Sequence, residues 1–439
     1  MKAGASKVDI TPPVGVKMGG FASRYKGAEG VHDALHARAL YIESRYGVSL
    51  LIANDLLNIP DSLAVEVKKE LAKRLGLKEG AILISATHTH SGPSLSPDIS
   101  ADVPGVDFEN YLSLLRERNV EAALKAAERA RPAKLGWGVA RVIVGFNRRL
   151  FSGPVDPDAN VLLVVDEADK PFASLVNYAC HGVVLGDMNY MISADYPGAV
   201  SRIIESRLGV NHVSLFMNGA DGDINPVTSQ GYACPGTFED VEAVGRVVAY
   251  AAINGMRLIK PGEEPVIRAV EQKVVLPLAE LSEESARRLV ENQKKHVSEL
   301  KTGKTDAETV MRQEAVLHYY EKNLSMMREG QPEKTLETVL QAMRIGDAVL
   351  VGLPGEPLVE VGLRIKKGSP SKPTLIISYA NGYCGYIATS EAYDQGGYEV
   401  TPTWWNRLAK GSAEILIEES VSLIKALTAN RNSWRKGSG

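Results

Sequence analysis

Apolar residues recur along this chain at two spacings, and the alternation between them sets out an architecture. Residues 39–43 and 48–53 are short β-rich runs, 63–75 place apolar side chains at helical intervals, and 81–86 form a third β-run. The same alternation continues downstream. Residues 110–131 read as a helix, 139–144, 161–165 and 173–178 as strands, and 197–208 and 241–258 as helices. A short apolar strand over 213–217 runs directly into a glycine-rich segment over 218–226. After residue 331 the pattern returns with strands over 338–344, 348–352 and 374–378, and helices over 358–366 and near 414–427. Alternation of this kind predicts an α/β fold, a mixed β-sheet core flanked by helices.

One stretch departs from the pattern. Between 279 and 331 the sequence turns to charged helical material, 282–300 and 305–328, joined by a turn at 301–304. This predicts an inserted charged helical hairpin. Charged helical faces are usually solvated, so the expectation is an amphipathic pair packed on the sheet, with a lid over a site as the alternative. The chain then reads as one unit over 1–429 with 279–331 inserted in it, and a polar tail over 430–439 expected to fray.

Composition narrows the function classes. With 439 residues, 44% hydrophobic and 23% charged, the chain can bury a sizeable core, which excludes a disordered or fibrous protein. A net charge of -3 from 50 basic and 53 acidic residues offers no footprint for a nucleic acid or an anionic membrane. No apolar run approaches the roughly 20 residues that span a bilayer, and residues 1–9 lack the apolar run of a secretory signal. Cys180, Cys234 and Cys384 are an odd, widely spaced set, which argues for a reducing compartment without a disulfide framework. The expectation is a cytoplasmic protein acting on a small-molecule substrate, with a homo-oligomer left open.

Candidate chemistry gathers just past the strand ends, where open α/β sheets place their ligands. Ala-Thr-His-Thr-His-Ser-Gly-Pro at 86–93 puts His88 and His90 two residues apart at a turn, and neutral imidazole is the commonest metal ligand. A second strand ends in Ala-Cys-His-Gly at 179–182, offering His181, with Cys180 as either a soft second ligand or a buried small side chain. Asp195 stands ahead of a helix, as an acid for the site or as an N-cap. The loop carrying Asp221, Asp223 and Asn225 spaces its carboxylates as a calcium loop does, but it is too short for an EF-hand. Glu356, in Pro-Gly-Glu-Pro, completes a His, His, carboxylate set or simply opens a helix. Tyrosines crowd residues 383–398, able to aim hydroxyls at a metal or an oxyanion, and Trp404 with Trp405 either lines an apolar pocket or packs in the core.

Taken in order, His-Thr-His-Ser-Gly-Pro, the His-Gly after a strand, the Gly-Asp-x-x-Pro loop, Pro-Gly-Glu, and Tyr-Ile-x-Thr with a later Tyr-Glu resemble the catalytic domain of the neutral ceramidase family, over most of residues 1–428. The resemblance implies a zinc ion held by His88, His181, Glu356 and Tyr386, with His90, Arg148 and Tyr398 beside it, and hydrolysis of an amide or ester carbonyl. Where the family's loop carries a serine proposed as nucleophile, this chain has Asn225, and an amide cannot replace a hydroxyl in that role. The expectation is a catalytic domain without the family's C-terminal immunoglobulin-like domain.

The reading that joins these observations is zinc-dependent hydrolysis of an N-acyl bond by metal-activated water. His90 or Asp195 would take the proton from that water, and Tyr398 or Arg148 would stabilise the oxyanion. Asn225, Asp223 and Trp404 would contact the substrate, and a second, structural cation such as Mg2+ or Ca2+ is left open. A small soluble substrate is expected, with long-chain ceramide a poor one. An esterase or lactonase using the same metal is the alternative enzyme, and a metal-stabilised binding protein the alternative outside catalysis.

Overall fold

Two sheets stacked face to face form the centre of this computed structural model, which describes residues 1–95, 108–262, 264–329 and 333–429. The first comprises β1 (Lys2–Asp9), β2 (His36–Ser44), β3 (Gly47–Asn54), β4 (Ile82–Ala86), β5 (Arg131–Arg141), β6 (Asp158–Asp166), β7 (Pro171–Tyr178) and β8 (Val213–Asn218). Their order across the sheet is β8-β7-β6-β5-β1-β2-β3-β4. Only the two outermost pairs, β3 with β4 and β7 with β8, are parallel. The second sheet runs β9 (Ile267–Pro277), β10 (Thr335–Ile345), β11 (Ala348–Gly352) and β12 (Thr374–Ile377), with β11 and β12 parallel. The mixed α/β prediction holds.

Helices cover both outer faces. On the first sheet α1 (Asp61–Leu75) and α2 (Phe108–Glu128) lie over one half and α3 (Asp195–Leu208) and α4 (Phe238–Met256) over the other. The hairpin α5 (Glu283–Thr302) and α6 (Ala307–Glu329) follows β9, and α7 (Val359–Gly368) and α8 (Ser412–Thr428) cover the second sheet. Side-chain alternation explains why the strands read as unbroken apolar runs. Leu50 and Ile52 point into the helix-facing core, while Leu51 and Ala53 point between the sheets. On β11, Val349 and Val351 face helices and Leu350 faces the other sheet. A strand buried on both faces needs apolar residues at every position. Each fully buried Leu, Ile or Val contributes about 1.5–3 kcal/mol relative to exposure.

Local signals fix the helix ends. Thr237 accepts a hydrogen bond from the Asp240 amide while Asp240 reaches back to the Thr237 amide, a capping box that starts α4. Gly76, at φ 66°, closes α1 in the left-handed conformation a glycine adopts without strain.

Three sequence expectations shift. β1 has mostly small and charged residues, Lys-Ala-Gly-Ala-Ser-Lys-Val-Asp, and becomes a strand because β2 and β5 pair with its edges. β9 was likewise unmarked by a clear apolar run, and forms by pairing along its whole length with β10. The helix expected to reach residue 131 ends at Glu128, and β5 starts at Arg131, eight residues before the strand expected at 139. The tail over 430–439 lies outside the described residues.

Candidate metal centre and active-site cavity

The strands β4, β7, β8, β11 and β12 all deliver their following loops to one side of the two-sheet stack, and the chemistry sits there. β4 is followed by His88 and His90, β7 by His181, β8 by Asp221 and Asn225, β11 by Glu356, and β12 by Tyr379, Tyr383 and Tyr386. Two glycines allow the loops to pack this closely. A Cβ on Gly182 would stand 2.7 Å from the His88 carbonyl oxygen, and one on Gly222 would stand 2.7 Å from that of Glu356. His88 itself has φ 61° and Tyr379 φ 55°. Left-handed backbone at a non-glycine residue costs on the order of 1–3 kcal/mol and persists only where its surroundings enforce it.

Ring nitrogens of His88, His90 and His181, all buried, lie within 4.8 Å of one another. The Nδ1 of His88 lies 2.6 Å from the Leu57 carbonyl oxygen, and that of His181 lies 2.6 Å from the Asp221 carbonyl oxygen. Both Nδ1 atoms therefore carry the donated proton, which leaves both Nε2 atoms with lone pairs facing the centre. Glu356 Oε2 stands 3.4 Å from His181 Nε2 and 3.6 Å from His88 Nε2. His181 Nε2 and Glu356 Oε2 are buried with no hydrogen-bond partner, and the Nε2 atoms of His88 and His90 face each other at 3.0 Å. Lone pairs converging in a buried site are costly unless something positive joins them, and two or three imidazoles with a carboxylate suit a divalent ion such as zinc. The residues fit the implied metal.

Electrostatics agree with that donor set. Burial pushes His88 down to about 3, outweighing the attraction of Glu356, and drives His90 well below its usual value, so both rings are neutral. Burial alone would raise Glu356, yet the carboxyl is held below its usual range, with the Tyr383 hydroxyl donating to Oε1.

Beside the cluster, Arg148 organises the remaining polar groups. Its guanidinium donates to Tyr398 Oη at 2.6 Å, Tyr386 Oη at 3.2 Å, Asn225 Oδ1 at 3.0 Å and the Gly222 carbonyl at 2.7 Å. The Tyr386 and Tyr398 hydroxyls are 2.7 Å apart. Glu356 and Tyr386 sit opposite each other in the short parallel ladder Glu356–Pro357 with Tyr386–Ile387, which ties this group to the cluster. Asn225 lies in the ladder Ile224–Pro226 with Gly145–Asn147, opposite Phe146 and so two residues from Arg148 along the facing strand.

A cavity of about 1340 Å³ opens onto these groups, lined by His88, His90, Arg148, Asn225, Glu356, Tyr386, Tyr398 and Trp404 among others. Trp405 also lines it, so of the two readings open for the tryptophan pair the structure places both in the cavity wall. Asp195 and Asp223 are not among the lining residues, and their carboxylates are occupied elsewhere. Asp195 accepts from the amides of Val184, Leu185 and Tyr196, which clamps the loop after His181. Asp223 accepts from Asn147 and from the Val359 amide at the start of α7. The structure thus gives both acids positioning contacts in place of the proton-transfer and substrate contacts expected of them. Cys180 is buried with its thiol pushed well up by burial, a packing residue and not a soft ligand, and all three cysteines are free. Among the described residues no second cluster of this kind occurs.

Sequence reasoning missed the support behind the ligands. Tyr379 stacks on His88 and donates to Asp221, and Arg24, fully buried, donates to the His90 and Gly19 carbonyls. Asp221 stood in the quoted carboxylate loop and was visible as a candidate. Tyr379 and Arg24 carry no local signal, since their roles depend on contacts with distant loops.

Fold and site together define a layered α/β protein with a buried histidine and carboxylate cluster of metal-centre composition. The profile of the neutral/alkaline non-lysosomal ceramidase family, N-terminal part, matches residues 1–245, and the chain belongs to that family. It is 25% identical to the neutral ceramidase of Pseudomonas aeruginosa over 492 residues, 97% of this chain and 72% of that protein. Neutral ceramidase B of Dictyostelium discoideum is 24% identical over 253 residues, 51% of this chain. The alignment spans only about a third (35%) of that relative's length. The crystal structure of the Pseudomonas aeruginosa neutral ceramidase shares the fold, with a TM-score of 0.76 over 97% of this chain and 74% of that one, at 20% identity. Among the described residues no helix is long and apolar enough to cross a membrane.

Proposed function

We propose that this protein is a zinc-dependent amidohydrolase that cleaves the N-acyl bond of a lipid-like amide, with N-acylsphingosines within its range. The observation that carries the reading is the convergence of the unpartnered His181 Nε2 and Glu356 Oε2 with His88 and His90, next to the hydroxyls held by Arg148, at the wall of one cavity that His88, His90, Glu356 and Arg148 line. His88, His181 and Glu356 would hold the ion, with His90 or Tyr386 able to complete the set. A bound zinc would supply Lewis acidity and a water acidified toward neutrality. The rest belongs to the chain. His90, beside the other two rings, could take up a proton once an ion is bound, and the Arg148-held hydroxyls of Tyr386 and Tyr398 can donate to a carbonyl oxygen as it gains charge. Asn225 holds the Arg148 guanidinium and needs no nucleophilic role.

The expectation of a small soluble substrate loses support here. A cavity of about 1340 Å³ exceeds the roughly 300–1,000 Å³ of ordinary small-molecule sites, and the relatives are named neutral ceramidases. The test is kcat/KM for dispersed N-acylsphingosine beside short N-acyl and O-acyl compounds at equal zinc loading. Metal-dependent amide cleavage supports the reading; cleavage of esters alone favours the esterase alternative, and no cleavage at all overturns both.

A further inference from the structure

The helical hairpin is placed differently from the solvated pair that its charge suggests. It sits at the tip of the β9–β10 ribbon, where Pro277 pairs with Thr335 and the Leu278 amide donates to the Lys334 carbonyl at 2.9 Å. The chain thus leaves and re-enters the sheet at adjacent points. α6 then runs along the cavity, with Met311, Glu314, Ala315 and Tyr319 in its lining.

Three side-chain ties hold α6 to three separate parts of the rim. Glu308 accepts from the Tyr25 hydroxyl at 3.3 Å, in the N-terminal loop. Arg312 pairs with Asp187, six residues after His181, and Asp187 is itself held by the Ser23 hydroxyl at 2.6 Å. Tyr319 accepts from Trp405 Nε1 at 2.6 Å, in the C-terminal loop that carries the cavity tryptophans. Glu308 and Tyr319 are eleven residues apart, about 16 Å along a helix at 1.5 Å per residue. A helix anchored at both ends of such a span, to loops from opposite ends of the chain, bridges the cavity and does not lie beside it.

We propose that α6 is the roof of the active-site cavity and that, pinned through Arg312 and Tyr319, it selects acyl amides by their bulk. The proposal rests on the amidohydrolase reading. On this proposal a slim acyl chain passes beneath the pinned helix, and a branched or diaryl group has to displace it and break the ties.

Two altered proteins test this beside the full chain: Arg312→Gln with Tyr319→Phe, and a chain in which residues 279–333 are replaced by a two-residue Asn-Gly turn, which suits an antiparallel ribbon. The rates compared are kcat/KM for diphenylacetyl and octanoyl 4-nitroanilide at equal zinc content. The diphenylacetyl-to-octanoyl ratio should rise at least tenfold when the hairpin is removed, and by less in the double variant. Amide hydrogen exchange over 307–329 should accelerate at least tenfold in the double variant. An unchanged ratio in a folded, zinc-loaded chain lacking the hairpin overturns the roof. If that chain does not fold, an unchanged ratio in the double variant does so. If the full chain cleaves neither anilide, the roof stands or falls on the exchange measurement, and the amidohydrolase reading fails only where N-acylsphingosine is uncleaved as well.

Discussion

Tyr379 lies flat against His88, ring centroids 3.9 Å apart and planes within 8°, and its hydroxyl donates to Asp221 at 2.9 Å. Asp221 in turn receives the Nδ1 proton of His181 on its backbone carbonyl. One buried tyrosine therefore steadies both histidines, by its ring face on one side and by its hydroxyl on the other. Partners behind metal ligands are commonly worth about 10–100-fold in metal affinity. Tyr379→Leu, which loses both contacts, should weaken zinc binding by roughly tenfold or more, and Tyr379→Phe, which keeps the stack, should weaken it less. Chelator competition on the folded variants checks this; equal affinities in all three proteins would remove Tyr379 from the account.

The ligand set makes a simpler prediction. Freshly purified protein should hold about one zinc per chain, and His88→Ala, His181→Ala and Glu356→Ala should each lose it, because each removes a donor aimed at the same point. Elemental analysis beside a thermal melt decides the matter, the melt separating lost metal from lost fold.

Arg148 and Asn225 should behave very differently although they touch. Arg148→Ala strands the hydroxyls of Tyr386 and Tyr398, and loss of an oxyanion donor costs about 10²–10³ in kcat. Asn225→Ala removes one acceptor from a guanidinium that keeps its others and should leave measurable activity. Rapid-quench mass spectrometry should find no acyl group on any side chain during turnover; a covalent acyl-enzyme would contradict the proposed chemistry.

Acid sensitivity has an identifiable contributor away from the site. His212 is 4% exposed, its Nε2 lies 2.8 Å from the Ser174 hydroxyl, and burial lowers it to about 4 despite the nearby Glu205. Because the unfolded chain takes up this proton near 6.5 and the folded chain only near 4, stability is full above 6.5 and falls as pH drops through that window. The loss amounts to roughly 3 kcal/mol by pH 4. His212→Gln, uncharged throughout, should therefore show a stability deficit relative to the parent that shrinks by about that amount between pH 7 and 4. Urea unfolding at both pH values measures it, and a constant deficit would exclude His212.

By itself the sequence determined the α/β alternation, the helical insertion and the residues at the site. Those features rest on local periodicity, or on side chains placed just past strand ends, and both are written in short stretches of chain. His88, His181 and Glu356 were legible for that reason, while Arg148 entered only through the resemblance to the family. Tertiary structure decided what depends on residues far apart. β1 became a strand only because neighbours on both edges pair with it, since its own side chains supply little apolar surface. Asp195, an acid before a helix in sequence, was turned toward three backbone amides, and no local pattern records which way such a carboxylate faces. The hairpin's charges said that it meets water along much of its surface; that its second helix bridges the cavity follows from Asp187 and Trp405, more than 80 residues from the side chains they hold. Periodicity fixes which face of an element is apolar, and the partner that covers it is chosen only when the whole chain packs.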